Sequence, residues 1–141
     1  MSRPTTMTPV AIFNSRAEFL DTLREALERE GMPSITALLA EIQDGTLDLI
    51  AFLDLHDPQV IVYDLPRPFE SHWNFLRLLK QSDCLSTKTW ILTTTDKQAL
   101  DAAVGAAGVI EVIFGEPYGI GEVVEAVRQA LNSGRPATPQ R

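Results

Sequence analysis

One carboxylate in this chain stands where an α/β protein would put it to use. Val60-Ile61-Val62-Tyr63 is an unbroken β-type run, Asp64 ends it, and Leu65-Pro66-Arg67-Pro68 follows at once. A short apolar run of this kind reads as a strand buried on both faces, as in parallel sheets. The two prolines forbid its continuation. In open parallel sheets the functional crevice lies outside the carboxyl ends of the strands, so Asp64 is aimed at it. An Asp before Leu-Pro can equally open a turn, and this segment alone leaves both readings standing. Other reactive residue types offer less. Cys84 has no histidine nearby in the sequence and reads as a small apolar filler. His56 precedes Asp57-Pro58 at a helix end, where a cation suits the helix dipole, and His72 sits beside Trp73. Neither has a second ligand at metal spacing, so both read as structural or surface residues. Asn14-Ser15-Arg16, after the first apolar run, is no Gly-rich phosphate cradle.

The elements that must position Asp64 alternate strictly. Val10 to Phe13 reads as a buried strand. A helix with Phe19, Leu20, Leu23, Ala26 and Leu27 on one stripe follows, with Ser15-x-x-Glu18 in capping-box form and Gly31 as a stop. A second strand falls near Ile35 to Leu39, although Ala37 to Ile42 could also be helical. Asp44-Gly45-Thr46 is expected to cap the next helix, which uses Leu47, Ile50 and Leu53 and ends before Pro58. After the third strand, Ser71 can cap a helix carrying Phe75, Leu76 and Leu79. Thr89 to Thr93 makes the fourth strand, and Asp96 opens a helix with Leu100, Ala103 and Val104, closed near Gly105 or Gly108. Val109 to Phe114 is the fifth strand, and Gly121 to Leu131 the last helix.

Five strand-helix pairs predict a parallel sheet with helices on both faces. At this size the flavodoxin-like order 2-1-3-4-5 is expected, with its crevice between the first and third strands. That order brings Asn14, Asp64 and Thr93 to neighbouring loops at one end of the sheet. Residues 9–132 then form the domain, 1–8 an N-terminal extension and 133–141 a flexible, Pro-rich tail.

Composition narrows the function classes. The 141 residues suffice for one domain with a proper core. A net charge of -7, with Lys and Arg scattered, argues against nucleic acid. A single cysteine fits a reducing compartment. No signal peptide and no membrane-length apolar run is visible, so a cytoplasmic protein is expected. Trp73 and Phe75 near Phe69 form an aromatic cluster; packing is its default role, although exposed aromatics there could anchor a partner.

With this alternation the chain resembles a response-regulator receiver domain of the CheY-like kind over nearly its whole length. Such domains accept a phosphoryl group on an Asp ending the third strand, and Asp64 matches it. Leu65-Pro66-Arg67-Pro68 resembles the family's Asp-Leu-x-x-Pro segment. Leu92-Thr93-Thr94 resembles the Leu-Thr-Ala element, whose hydroxyl contacts the phosphoryl oxygens and relays the switch. Phe114-Gly115-Glu116-Pro117-Tyr118 resembles the Lys-Pro-Phe region, usually with a cis peptide before the Pro. The resemblance implies a non-enzymatic, stand-alone module of two-component signalling, ending after its fifth helix. Its partners would be a histidine kinase or another signalling protein, met through the fourth helix, the fifth strand and the fifth helix; a homodimer is also allowed. A small flavodoxin-like cofactor binder is the alternative from another class.

The departures from that family pattern matter as much. Its metal-binding acidic pair falls on Asn14 and Ser15, its Lys on Glu116 and its switch aromatic on Ile113. The resemblance leaves Mg²⁺ with Asp64, the Asn14 amide oxygen, a backbone carbonyl near Pro66 and waters. Losing two acidic ligands should weaken the metal by several kcal/mol, at ~1.5–3 kcal/mol each. Glu116 reverses the sign of the missing Lys, and two carboxylates brought to ~4 Å repel by roughly 4 kcal/mol. One would protonate, swing outward or recruit a cation, and in the last case Asp64 and Glu116 could rebuild a metal site. Weak or absent phosphorylation of Asp64 is therefore expected, with a conventional phosphoacceptor of relaxed metal need as the alternative.

Overall fold

The computed structural model describes residues 8–81, 85, 87–104, 112–115 and 118–133. Strand β1 is Val10–Asn14, followed by α1 (Ala17–Arg29) and β2 (Ser34–Leu38). Two helices come next, α2 (Leu39–Gln43) and α3 (Leu49–His56), then β3 (Val60–Asp64) and α4 (Phe69–Lys80). The chain closes with β4 (Thr89–Thr94), α5 (Lys97–Val104), β5 (Val112–Gly115) and α6 (Ile120–Ser133). All pairings are parallel, in the order β2-β1-β3-β4-β5. That is the flavodoxin-like sheet the alternation predicts.

Alternation of side chains across the pleat sorts the core into two layers. Ala11, Phe13, Ile61, Tyr63, Trp90 and Leu92 point to the face covered by α2 to α5. Val10, Ile12, Val60, Val62 and Ile91 point to the other, covered by α1 and α6. Each fully buried Leu, Ile or Val contributes about 1.5–3 kcal/mol of transfer free energy. The central strand β3 is buried along Val60 to Tyr63, and only Asp64 at its end is half-buried. The strand carries its polar residue to the edge of the core and no further.

Several local expectations are corrected. The segment that could be strand or helix is both in turn, β2 and then α2, because Leu39 is needed in the core beneath the first turn of α2. Ser15 does not cap α1. The chain turns within Asn14, whose Oδ1 accepts the Arg16 N–H at 2.9 Å, so Arg16 becomes the N-cap and no side-chain bond forms there. The cap of α3 is Asp48, accepting from the Ala51 N–H at 3.1 Å, since Asp44 folds back onto the Thr46 N–H at 2.9 Å. Helix α4 starts before Ser71, behind Pro68, and the Ser71 hydroxyl donates to the Pro68 carbonyl at 3.3 Å. Ile50 and Phe75, expected on inner stripes, are exposed. Asp96 does cap α5, accepting from the Ala99 N–H at 3.1 Å. Gly31 stops α1 at a φ of +82°, where any side chain would be strained.

The start of the fifth strand, expected at Val109, and the closing glycines Gly105 and Gly108 lie outside the described residues, as does Cys84. Helix α6 continues to Ser133, one residue into the expected tail. No described helix is long and apolar enough to cross a membrane.

Candidate functional site

The carboxyl edge of the sheet brings together Asn14, Asp64 and Thr93, three of the residues that the sequence singled out. Asp64 and Thr93 are direct partners in the β3–β4 register. The Thr93 hydroxyl donates to Asp64 Oδ1 at 2.8 Å, with Thr93 itself fully buried. Two further bonds sew the same seam. The Leu65 N–H donates to the Thr93 carbonyl at 2.8 Å, and the buried Thr94 hydroxyl donates to the Leu65 carbonyl at 3.1 Å. Asp64 is thereby held from its own strand, from the next strand and from the loop that follows. Charge-assisted bonds to a carboxylate are stronger than neutral ones, so the Thr93 contact is the firmest of the three.

Asn14 ends β1, one residue past the Phe13–Tyr63 register pair, and therefore lies beside Asp64 at the crevice. It is buried, and its amide oxygen accepts from the Arg16 backbone. Pro66 is half-buried in the loop after β3. Glu116 and Pro117 lie outside the described residues, and with them the expected cis peptide; the described cis bond is Arg67–Pro68.

Mg²⁺ asks for near-octahedral oxygen ligands and several charges to offset its dehydration. No group of three His, Cys, Asp or Glu side chains that could hold a metal occurs among the described residues. Asp64 brings one carboxylate, and the neighbouring Asn14 oxygen is already an acceptor for a backbone donor. This donor set fits Mg²⁺ poorly.

Sequence reasoning did not single out the loops' own ion pair. Arg67, three residues after Asp64, reaches Asp96 in the β4–α5 loop at 3.2 Å and lies over the Phe69 ring at 4.8 Å. A shallow pocket of about 600 Å³ opens beside it, lined by Arg67, Phe69 and Ala99. Asp96 thus serves both the first turn of α5 and the guanidinium. The only hint in the sequence is a basic and an acidic residue, each three positions after a candidate site residue. Below the site, Tyr63 packs against Phe13 and Trp90 with ring centroids 5.6 and 6.1 Å apart. Burial, and then the charge of Asp64, push its phenol from 10.0 up to about 12, so it is neutral at physiological pH.

Solved structures share this fold. A response regulator receiver protein from Pseudomonas putida superimposes with a TM-score of 0.65 at 19% identity, over 89% of this chain and 99% of that one. The chemotaxis protein CheY4 of Vibrio cholerae gives 0.64 at 16%, over 88% and 98%. A signal receiver domain of an HD domain-containing protein from Pseudomonas fluorescens gives 0.69 at 18%, over 94% and 100%. The chain has the response-regulator receiver fold. No protein-family model and no curated protein matches its sequence. At such low identity the receiver fold is what is shared, and the residues on it must speak for themselves.

Proposed function

We propose that this protein is a receiver-like signalling module in which Asp64 retains the phosphoacceptor position while the cationic support for phosphoryl transfer has largely been lost. It acts mainly through protein contacts, with a kinase or another signalling protein as partner, on the face of α5, β5 and α6. The observation that carries this reading is the Thr93–Asp64 hydrogen bond at 2.8 Å, at the carboxyl end of the central strand of a receiver fold. It keeps the carboxylate and the relay hydroxyl together. Phosphoryl transfer to a carboxylate depends on positioning and on neutralising charge at the equatorial oxygens. Positioning is favoured by the sewn β3–β4 seam. Neutralisation is not, because Asn14 replaces a carboxylate, Glu116 replaces a cation, and Arg67 is engaged by Asp96. The crevice also offers no Gly-rich turn after β1, which weighs against a flavin or nucleotide.

Exposure to acetyl phosphate with and without Mg²⁺, followed by intact mass, tests the reading. Little or no added phosphoryl mass is expected in either condition. Rapid addition of one phosphoryl group, lost in Asp64→Asn, would restore the conventional phosphoacceptor and overturn it.

A further inference from the structure

We propose that the cavity between α2 and α4 is a binding site for a small neutral aromatic molecule that carries a hydrogen-bond acceptor. Its floor is Tyr63 on β3; one wall is Leu39, Ile42 and Gln43 of α2, and the other includes His72 and Phe75 of α4. Residues at these spacings share one face of a helix, so each wall is continuous. The volume of about 350 Å³ falls within the range of small-molecule sites, roughly 300–1,000 Å³. Tyr63 is the observation that points to a ligand. It is 3% exposed, with its ring flanked by Phe13 and Trp90 at centroid distances of 5.6 and 6.1 Å. Strand side chains stand roughly perpendicular to their sheet, so the phenol hydroxyl is the atom farthest from β3 and nearest the two helices. Among the described residues that hydroxyl has no hydrogen-bond partner. A buried hydroxyl left unpaired is costly, and an acceptor reaching the cavity floor removes that cost.

The walls set the chemical class of the occupant. Leu39 and Ile42 offer aliphatic contact, and the Phe75 ring, 40% exposed, is open to a planar partner. Among the described lining residues there is no Lys, Arg, Asp or Glu. An anion would find no cation there and would approach Asp64, the neighbour of Tyr63 along the strand; a cation would find no carboxylate on the walls. Either would lose its hydration without a partner. The Ser71 hydroxyl, on the α4 wall, already donates to the Pro68 carbonyl at 3.3 Å. The phenol is thus the donor held ready at the floor, and a neutral ring bearing a carbonyl or a ring nitrogen meets floor and walls together. The site uses neither Asp64 nor Thr93 as a contact, so it stands or falls apart from the phosphoacceptor reading.

Two-dimensional amide NMR of the full chain, titrated separately with acetophenone, toluene and benzoate, tests this directly. Acetophenone is expected to give saturable shifts confined to residues around Tyr63, Gln43 and Phe75, at the millimolar affinity of so small a ligand. Benzoate should give none. Tyr63→Phe keeps the ring and removes the donor; it should weaken acetophenone about five-fold, the scale of one neutral hydrogen bond, and leave toluene unchanged. Ile42→Trp, which fills the cavity from a half-buried position, should abolish binding of both while the wild-type circular dichroism spectrum is retained. A wild-type chain with no saturable acetophenone shifts, or with shifts only elsewhere, would overturn the proposal. So would equal acetophenone affinity in wild type and Tyr63→Phe, or benzoate binding as tightly as the ketone.

Discussion

The two helical layers over the sheet are built from the same alternating strands, yet they differ in kind. The α1 and α6 side is aliphatic on its strand face, with Val10, Ile12, Val60, Val62 and Ile91 meeting Leu23, Leu27, Val123 and Val127. Among the described residues, none of the exposed large apolar side chains lies on it. The α2 to α5 side holds the aromatic chain of Phe13, Tyr63 and Trp90 inside and shows Ile50, Leu55, Phe75 and Leu78 outside. A groove of about 350 Å³ between α2 and α4 reaches Tyr63. One layer finishes the fold, and the other leaves apolar surface in reserve. Buried side chains add stability, whereas apolar side chains left in water do not.

Equal damage to the two inner faces tests that contrast. Leu23 and Leu76 are both fully buried, one in each layer. Truncation of either to Ala is expected to cost about 2–5 kcal/mol, read from urea midpoints. A markedly cheaper Leu76→Ala would show that the second layer is loose inside as well as open outside.

The aromatic layer should also respond to alkali. Because Tyr63 is raised from 10.0 to about 12, its stabilising contribution is complete below pH 10 and is lost as pH climbs towards 12. The loss is at most about 3 kcal/mol. Urea denaturation at about pH 9 and about pH 11.5 should show it in the wild type and much less in Tyr63→Phe. Equal alkaline loss in both would place the ionisation elsewhere.

A smaller effect is expected where β5 meets α5. A Cβ on Gly115 would stand 2.5 Å from Lys97 Cβ, so the end of β5 and the first turn of α5 are in direct backbone contact. Gly115→Ala is expected to cost about 1–3 kcal/mol through overpacking, measured by thermal unfolding. A neutral result would mean that α5 can shift away without penalty.

Much of the site was legible before any coordinates. Asp64 announces itself because a buried strand cannot carry a carboxylate in its middle, so the apolar run and the prolines fix where it must emerge. The caps were read less well. Ser15, Thr46 and Ser71 all have side chains able to cap, and the choice among neighbouring oxygens depends on a backbone turn of one or two residues. Asp48 won one such competition and Asn14 turned the chain ahead of an uncapped α1, by geometry that a residue pattern does not contain. Ile50 and Phe75 fit the helical stripe in sequence but face outward, because periodicity gives a stripe without saying how wide a neighbour covers it.

The order of residue types was enough to set the alternation of strands and helices, and hence the parallel sheet and the edge at which Asp64 appears. Those follow from apolar spacing within windows of about ten residues. The folded chain alone decided that Asp64 is held by Thr93, that Leu65 is held by Thr94 and that Arg67 is held by Asp96. Each of these pairs is 29 residues apart. Such partners are chosen by the β3–β4 register, and register is a property of two strands meeting rather than of either one.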